Sequence, residues 1–171
     1  MEIERKYLLD YIPFSLDSLP FVYIEQGYIS TSPVIRIRKK IYYDAGAAVK
    51  ELHVLTIKSK GLLKRQEYEL DILPEEYNSL KDKVSGNIIT KKRYVIPLDD
   101  KLSLELDVFS GSFTGLIMGE IEFPDEKSSN KYNPPEYLSR EVTFDTNFHN
   151  STMSVMSNKD ILHLLSLANS N

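Results

Sequence analysis

The chain begins Met1-Glu2-Ile3-Glu4-Arg5-Lys6, a stretch that places two carboxylates and an ammonium at alternate positions. If these residues form a β-strand, Glu2, Glu4 and Lys6 point to the same face at intervals of about 7 Å. Two carboxylates at that spacing repel each other by roughly 2 kcal/mol at an effective dielectric of about 20, so a face that keeps both ionised needs water or a cation beside it. The stretch therefore predicts a strand with one charged face.

The same alternation recurs along the chain, with basic and acidic segments interleaved. The residues between the charged positions are mostly apolar, so each predicted strand has one charged and one apolar face. The segments are Arg36-Ile37-Arg38, Thr56-Ile57-Lys58, Arg65-Gln66-Glu67-Tyr68-Glu69, Lys91-Lys92-Arg93, Glu105-Leu106-Asp107 and Glu120-Ile121-Glu122.

Strands of this kind suit two architectures. An antiparallel sheet can pack its apolar face on a core and turn its charges to water, where cross-strand ion pairs contribute roughly a few tenths of a kcal/mol each. A sheet of about eight strands can instead close into a barrel around one small ligand, and an interior lined by cations and carboxylates suits a polyanion with metal ions. Both architectures give the same alternation, so periodicity alone leaves the choice open.

Composition excludes several classes of protein. A chain of 171 residues is predicted to form a single domain over 1–171. It has no cysteine, and hence no disulfide framework, thiolate metal site or cysteine nucleophile. A net charge of -4 disfavours a general nucleic-acid binder, which carries a basic excess. No apolar run reaches membrane-spanning length and charge begins at residue 2, which predicts a cytoplasmic protein with no membrane segment or signal peptide.

Turn residues divide the chain into eight predicted strands and a few helical segments. A short helical turn is predicted over 13–20, a helix from 74 to about 83, and a packing helix at about 155–168. The polar, proline-containing stretch 125–135 is predicted to be a mobile loop. The strands are predicted near 2–9, 22–31, 34–43, 50–59, 64–72, 87–97, 101–109 and 116–124.

The charged motifs resemble those of the CYTH superfamily, also called triphosphate tunnel metalloenzymes. Glu2-Ile3-Glu4-Arg5-Lys6 matches the ExExK signature of that superfamily, and the later charged pairs follow in its order from residue 2 to about 150. The opening motif, Gln26-Gly27-Tyr28 and Glu141-Val142-Thr143 resemble the compact bacterial branch associated with inorganic tripolyphosphate hydrolysis. One departure is Tyr137-Leu138-Ser139, where that branch has an aromatic residue, one further residue and glycine.

The resemblance implies a fold and an activity. The fold is mainly β (α+β), a closed eight-stranded antiparallel β-barrel tunnel with a few covering helices. The activity is metal-dependent hydrolysis of a terminal phosphoanhydride of inorganic tripolyphosphate, or of a related nucleoside triphosphate, inside the tunnel. The signatures GxxxxGK[ST] and GxGxxG are absent from the chain, so phosphate recognition is expected to rest on side chains.

The resemblance also assigns roles to charged side chains. Arg and Lys at alternate wall positions hold phosphoryl groups, while Mg²⁺ or Mn²⁺ takes carboxylate oxygens, shares coordination with the substrate and activates a water. The expected phosphate-binding residues are Lys6, Arg36, Arg38, Lys58, Arg65, Lys91 and Arg93. The expected metal ligands are Glu2, Glu4, Glu120 and Glu122. The expected catalytic residues are Lys91, Tyr28, Glu67, Glu69 and Asp107.

Several alternatives stay open. Glu67, Glu69, Glu105 and Asp107 could hold a second metal, orient water or pair with the basic wall. Within the fold, class IV adenylyl cyclase and thiamine triphosphatase are alternative activities, and a polyphosphate-binding protein without turnover is a third. Acidic pairs at both ends of the motif set favour catalysis, because binding alone is better served by arginine.

Parity and composition give two further expectations. Arg5, Lys39 and Lys92 have the opposite strand parity from the motif residues and are predicted to be solvated. The apolar outer faces of the strands need covering by helices or by a second subunit, and we therefore also expect a homodimer.

Overall fold

The computed structural model describes residues 3–58, 67–99 and 101–170, which form a mainly β protein with nine strands and four α-helices. The strands are β1 (Ile3–Leu8), β2 (Phe21–Thr31), β3 (Val34–Asp44), β4 (Ala47–Lys58), β5 (Glu67–Asp71), β6 (Ile89–Pro97), β7 (Ser103–Ser110), β8 (Ile117–Phe123) and β9 (Arg140–Glu141). The helices are α1 (Pro74–Lys81), α2 (Glu126–Lys131), α3 (Asn150–Met153) and α4 (Asn158–Ala168).

All nine strands belong to one antiparallel sheet, with the order β5-β4-β3-β2-β6-β7-β8-β1-β9. The prediction of a closed eight-stranded barrel is not confirmed, because the end strands β5 and β9 do not pair with each other within the described ranges. Instead, the sheet ends beside β1 with the unpredicted two-residue strand β9, which pairs Tyr7 with Glu141 and Leu8 with Arg140. The sheet nevertheless curves around a cavity.

The eight longer strands overlap the predicted ones wherever the structure describes them; predicted strand positions 2, 59 and 64–66 lie outside the described residues. Three other predictions were wrong in detail. The stretch 13–20 forms a turn instead of a helical segment, because Ser18 adopts a φ of 67°, which a right-handed helix does not contain. The predicted loop at 125–135 contains α2, whose N-terminus is capped by Asp125 accepting the Ser128 N–H at 2.7 Å. The C-terminal helix starts at Asn158, and the separate helix α3 precedes it.

Helix α1 covers part of the convex face of the sheet. Its Tyr77 hydroxyl donates to Glu25 Oε1 at 2.9 Å, and its Lys81 Nζ lies 2.8 Å from the same oxygen. The Tyr77 ring also packs against His53 on β4, with 5.0 Å between centroids. The apolar surface of this part of the sheet is thus covered by the chain itself.

The C-terminal helices close one end of the concave face. Apolar residues near the ends of several strands, such as Leu8, Ile89 and Met118, pack with Met153 of α3 and Leu164 of α4 in one buried cluster. The other end of the same face carries the charged residues. The charged cavity therefore has an apolar floor.

No helix in the described part of the chain is both long enough and apolar enough to cross a bilayer.

Candidate active site

A concave cavity of about 680 Å³ collects most of the side chains that the motifs predict. Strand parity places every second residue on this face, and the register sets Lys6 opposite Glu120. The predicted residues Glu2 and Arg65 lie outside the described residues. The predicted residues that line the cavity are Glu4, Lys6, Tyr28, Arg36, Arg38, Lys58, Glu67, Glu69, Lys91, Arg93, Glu120 and Glu122.

A network of ion pairs forms one wall, where β1, β6, β7 and β8 meet. Arg93 donates through Nε to Asp107 at 2.7 Å and through Nη2 to Glu120 at 2.8 Å. Lys6 Nζ approaches the other oxygen of Glu120 at 2.6 Å. Lys91 is buried behind this wall and donates to Asp107, which is itself 1 % exposed. These charges are held in fixed positions by one another.

The network shifts the pKa values of its members. Burial disfavours the Glu120 carboxylate, but the cations led by Lys6 outweigh burial and hold the pKa of Glu120 well below its ordinary value of 4.5. Burial also disfavours the charged form of Lys6, but Glu120 and Glu4 outweigh it and raise the Lys6 pKa. Burial lowers the pKa of Lys91, although Asp107 opposes the shift.

Glu120→Gln is expected to lower the free energy of unfolding at pH 7 by about 3 kcal/mol, because it leaves the largely desolvated cations Lys6 and Arg93 with one counter-ion fewer. Since the folded-state pKa of Glu120 is depressed, its stabilising contribution is complete above the ordinary value of 4.5 and is lost as the pH falls below it. Urea unfolding of both proteins at pH 7, 4.5 and 3.5 should show the difference in unfolding free energy narrowing by about 1 kcal/mol between pH 4.5 and 3.5. If the difference in unfolding free energy between the two proteins did not change with pH, the lower stability of the variant would be due to packing instead of charge.

A second cluster joins β3, β4 and β5. Arg36 Nη2 donates to Thr56 Oγ1 at 3.1 Å and lies 3.6 Å from Glu69 Oε1. Thr56 Oγ1 in turn donates to Glu69 Oε1 at 3.2 Å, and Lys58 Nζ lies 2.8 Å from Glu67 Oε2. Of the roles considered for these carboxylates, pairing with the basic wall is the one that the contacts show.

Arg38 and Lys40 have no described carboxylate within 4.0 Å. Each of the other five cations that line the cavity has one. The Arg38 Nε is buried and has no hydrogen-bond partner in the described ranges. Burial, followed by repulsion from Arg36 and Arg93, lowers the pKa of Arg38 to about 10. Burial and then Arg38 lower the pKa of Lys40. A buried cation without a counter-ion is costly, so this region favours an anionic ligand.

Glu4 and Glu122 form the complementary feature, a pair of carboxylates that lie directly opposite each other on β1 and β8. Both are exposed. Glu4 contacts Lys6 at 3.0 Å, and Glu122 has no ion pair or hydrogen bond to any described residue. Like charges facing each other across two strands are destabilising unless a cation joins them.

The donor set at Glu4 and Glu122 fits a hard divalent cation, which takes carboxylate oxygens together with waters and phosphate oxygens. No group of three or more His, Asp or Glu within the described ranges is arranged to hold a metal by itself. Glu120 is the less available carboxylate, because one of its oxygens bonds to Lys6 and the other to Arg93. The residues fit a metal that the protein shares with a phosphate, and the predicted ligand Glu2 lies outside the described residues.

Tyr28 faces the cavity, and only 6 % of the residue is exposed. Burial raises the pKa of its hydroxyl, although Arg36 and Arg38 oppose the shift, so the phenol is neutral at pH 7. Gln26 lies on the same face of β2, opposite Arg38, and neither atom of its buried amide has a partner in the described part of the chain. These side chains place neutral hydrogen-bonding groups beside the unpaired guanidinium.

Some cavity residues were not predicted, among them Lys40, Thr143 and His149. Lys40 continues the spacing of Arg36 and Arg38 on β3, so strand parity alone could have identified it. Thr143 and His149 follow β9 in irregular chain, where no strand pattern exists. Thr143 Oγ1 accepts the backbone N–H of Lys6 at 3.0 Å, which fixes this segment beside β1.

The three cations of opposite parity do point away from the cavity, but Arg5 is not solvated as predicted. It donates to Glu141 at 3.0 Å and to the Ser129 carbonyl at 3.0 Å, and it thereby joins β1 to β9 and α2. Lys39 lies 3.6 Å from Glu51 on the neighbouring strand. Lys92 is exposed, as predicted, and of these three cations only Arg5 and Lys39 have ion-pair partners among the described residues of the convex side.

In the described chain, one antiparallel sheet gathers seven cations and six carboxylates in a single cavity, an arrangement typical of proteins that bind a polyanion through side chains. The chain is 34% identical to an inorganic triphosphatase of Nitrosomonas europaea over 157 residues, 90% of this chain and 97% of the relative. It is 30% identical to an inorganic triphosphatase of Acetivibrio thermocellus over 154 residues, 89% of this chain and 92% of the relative.

The fold agrees with these sequence relationships. The crystal structure of the inorganic triphosphatase NE1496 superposes with a TM-score of 0.68 at 29% identity, covering 92% of this chain and 96% of that one. No family model matches the chain. Because both sequence relatives are at least 30% identical over almost their whole length, the chain belongs to the family of these inorganic triphosphatases, within the CYTH superfamily that its motifs resemble.

Proposed function

We propose that this protein is a metal-dependent hydrolase that cleaves a terminal phosphoanhydride of inorganic tripolyphosphate. The observation that carries the proposal is Arg38, a partly buried guanidinium whose Nε is inaccessible and which has no counter-ion among the described residues. A linear triphosphate supplies several negative charges in a row, which is what an uncompensated guanidinium in a cationic cavity requires. Two relatives named inorganic triphosphatase support the choice of substrate.

The cations of the cavity are placed to bind an anionic substrate. Arg36 and Arg38 on β3 would bind phosphoryl oxygens, and Lys6 would reach the same anion from β1, next to Glu4. Arg93 is fixed by Asp107 and Glu120, so its guanidinium is already oriented when substrate enters. Preorganised donors of this kind stabilise charge that develops on a transferred phosphoryl group.

We assign the metal site to Glu4 and Glu122, with Glu2 of the opening motif as a further proposed ligand from the sequence alone, since it lies outside the described residues. Mg²⁺ or Mn²⁺ bound there supplies Lewis acidity and a water of lowered pKa. Glu4 and Glu122 lie on β1 and β8, whereas Arg36 and Arg38 lie on β3. Glu120 contributes by keeping Lys6 and Arg93 in place.

Lys91 and Tyr28 have supporting roles in this proposal. Lys91 is 2 % exposed and donates to Asp107, so we assign to it the positioning of Asp107 and, through it, of Arg93. Tyr28 offers a neutral hydroxyl at the apolar end of the cavity, where it can orient a phosphate oxygen or a water. Glu67 and Glu69 hold Lys58 and Arg36 toward the substrate.

Phosphate release from tripolyphosphate tests the proposal. We expect release with Mg²⁺ or Mn²⁺, loss of activity to the background rate in EDTA, and its return when excess metal is added back. ATP and thiamine triphosphate should be slower substrates, and cyclic AMP formed from ATP would identify a cyclase instead. Tripolyphosphate binding measured by calorimetry, without release of phosphate under any metal condition, would contradict the hydrolase and leave a binding protein.

A further inference from the structure

Lys40 is a cavity residue that the motifs do not include. It lies on the same face of β3 as Arg36 and Arg38, two residues beyond Arg38, and it lines the same cavity. Residues at this spacing are about 7 Å apart along a strand, so the three cations form a row. The row extends the cationic wall beyond the Arg36-Arg38 motif.

The charge balance along this row is uneven. At one end, Arg36 has Glu67 at 3.7 Å and Glu69 at 3.6 Å. At the other end, Arg38 and Lys40 have no carboxylate within ion-pair distance in the described ranges, and both are at least partly buried. The shortage of negative charge is therefore centred between Arg38 and Lys40. Like charges at this spacing repel each other, and a bridging anion would relieve the repulsion.

We propose that Lys40 binds a phosphoryl group at the end of the chain and thereby selects polyphosphates of three or more units over pyrophosphate. The inference rests on the proposed function, since it concerns the substrate of the same cavity. A pyrophosphate has two units and can contact only two of the three cations in the row, so it can bind without Lys40, whereas a longer chain contacts all three and gains one charge-assisted contact. The flexible four-carbon stem of lysine lets the ammonium follow the end of the chain.

The chain offers a matched control. Lys39 is the adjacent lysine, it points to the opposite face of β3, and its Nζ lies 3.6 Å from Glu51. Lys39→Gln removes the same charge from the same strand without touching the cavity. A comparison of Lys40→Gln with Lys39→Gln therefore separates a contact from a change in net charge.

Calorimetry in EDTA at fixed ionic strength, with tripolyphosphate and pyrophosphate as ligands, tests the inference without turnover. Lys40→Gln should weaken tripolyphosphate binding by about tenfold and pyrophosphate binding by less than about twofold, the size of one charge-assisted hydrogen bond. Lys39→Gln should match the wild type, and Lys40→Arg should restore most of the tripolyphosphate affinity. In steady-state kinetics, Lys40→Gln should raise KM for tripolyphosphate with little change in kcat.

Two outcomes would overturn the inference: tripolyphosphate affinity unchanged in Lys40→Gln, or both ligands weakened by the same factor, which would indicate a general charge effect. The outcomes also separate this inference from the proposed function. If tripolyphosphate binding depends on Lys40 but the wild type releases no phosphate with metal, the proposed hydrolase activity is contradicted and the Lys40 subsite is supported. If phosphate release depends on metal but Lys40→Gln does not change tripolyphosphate affinity, only the Lys40 subsite is contradicted.

Discussion

Replacing Arg38 with methionine is expected to lower kcat/KM for tripolyphosphate by about a thousandfold, the effect of removing a preorganised donor to the transition state. The same substitution should raise the free energy of unfolding of the ligand-free protein by about 2 kcal/mol. The two effects have one cause. A buried guanidinium without a counter-ion destabilises the empty fold and binds an anion well.

The sign of the stability effect follows from the Arg38 pKa, which is about 10 and so lies below the ordinary value of 12.5. When burial depresses the pKa of a base, the folded state is penalised as long as the group is charged. The penalty is complete below about pH 10 and disappears as the pH rises toward 12.5. At pH 7 the wild type therefore carries the whole penalty, and the methionine variant carries none of it.

Urea unfolding at pH 7, with and without tripolyphosphate in EDTA, measures both effects in one experiment. The ligand should stabilise the wild type strongly and Arg38→Met weakly, because only a state that binds is stabilised by mass action. Lys39→Met is the control, since that side chain lies on the convex face beside Glu51. A ligand-free Arg38→Met protein that is less stable than the wild type would show that the guanidinium is compensated and structural.

The pairing of charges in the cavity explains why these substitutions are expected to differ. Glu120 is bonded on both oxygens, so its removal costs stability. Arg38 lacks a counter-ion and Glu122 lacks any partner in the described ranges, so removal of either is expected to cost function while sparing the fold. The unpaired residues point to what binds: an anion on the β3 side and a cation on the β1 and β8 side.

Strand parity predicted most of the side chains that share the cavity, but it also included Asp107, which is buried and does not line it. Glu4, Arg36 and Arg93 occur in separate segments, and each lies on the concave face because its neighbours of opposite parity are apolar or structural. The resemblance to the CYTH superfamily supplied the expectation that the charges face inward, which periodicity alone left open. The same parity rule would have included Lys40.

Register and chain closure could not be predicted, because both depend on contacts between residues far apart in the sequence. Parity does not show that Glu4 lies opposite Glu122 or that Lys6 lies opposite Glu120, yet these pairings decide which carboxylate is available to a metal. The two-residue strand β9, which occupies the free edge of β1, is too short to give a pattern. Helix α2 was also not predicted, because its stretch is polar and its N-terminal cap at Asp125 could not be distinguished from a loop residue.

Glu122→Gln is expected to lower metal-dependent phosphate release by at least about a thousandfold, because one oxygen ligand and one negative charge are lost from the proposed metal site. The fold should be unaffected or slightly stabilised, since Glu122 has no described partner and faces Glu4 across the strands. Tripolyphosphate binding in EDTA should be retained or somewhat tighter, because the cavity loses one repelling charge. Glu4→Gln should also abolish release.

Titration of Mg²⁺ and Mn²⁺ in the phosphate-release assay, together with calorimetry in EDTA, separates loss of metal from loss of substrate. Glu126→Gln is a matched control, because Glu126 is an exposed carboxylate at the start of α2, four residues after Glu122, and does not line the cavity. Its metal dependence should equal that of the wild type. If Glu122→Gln kept the metal response of the wild type, the cation would have to bind elsewhere. The repulsion between Glu4 and Glu122 would then destabilise the fold without serving metal binding.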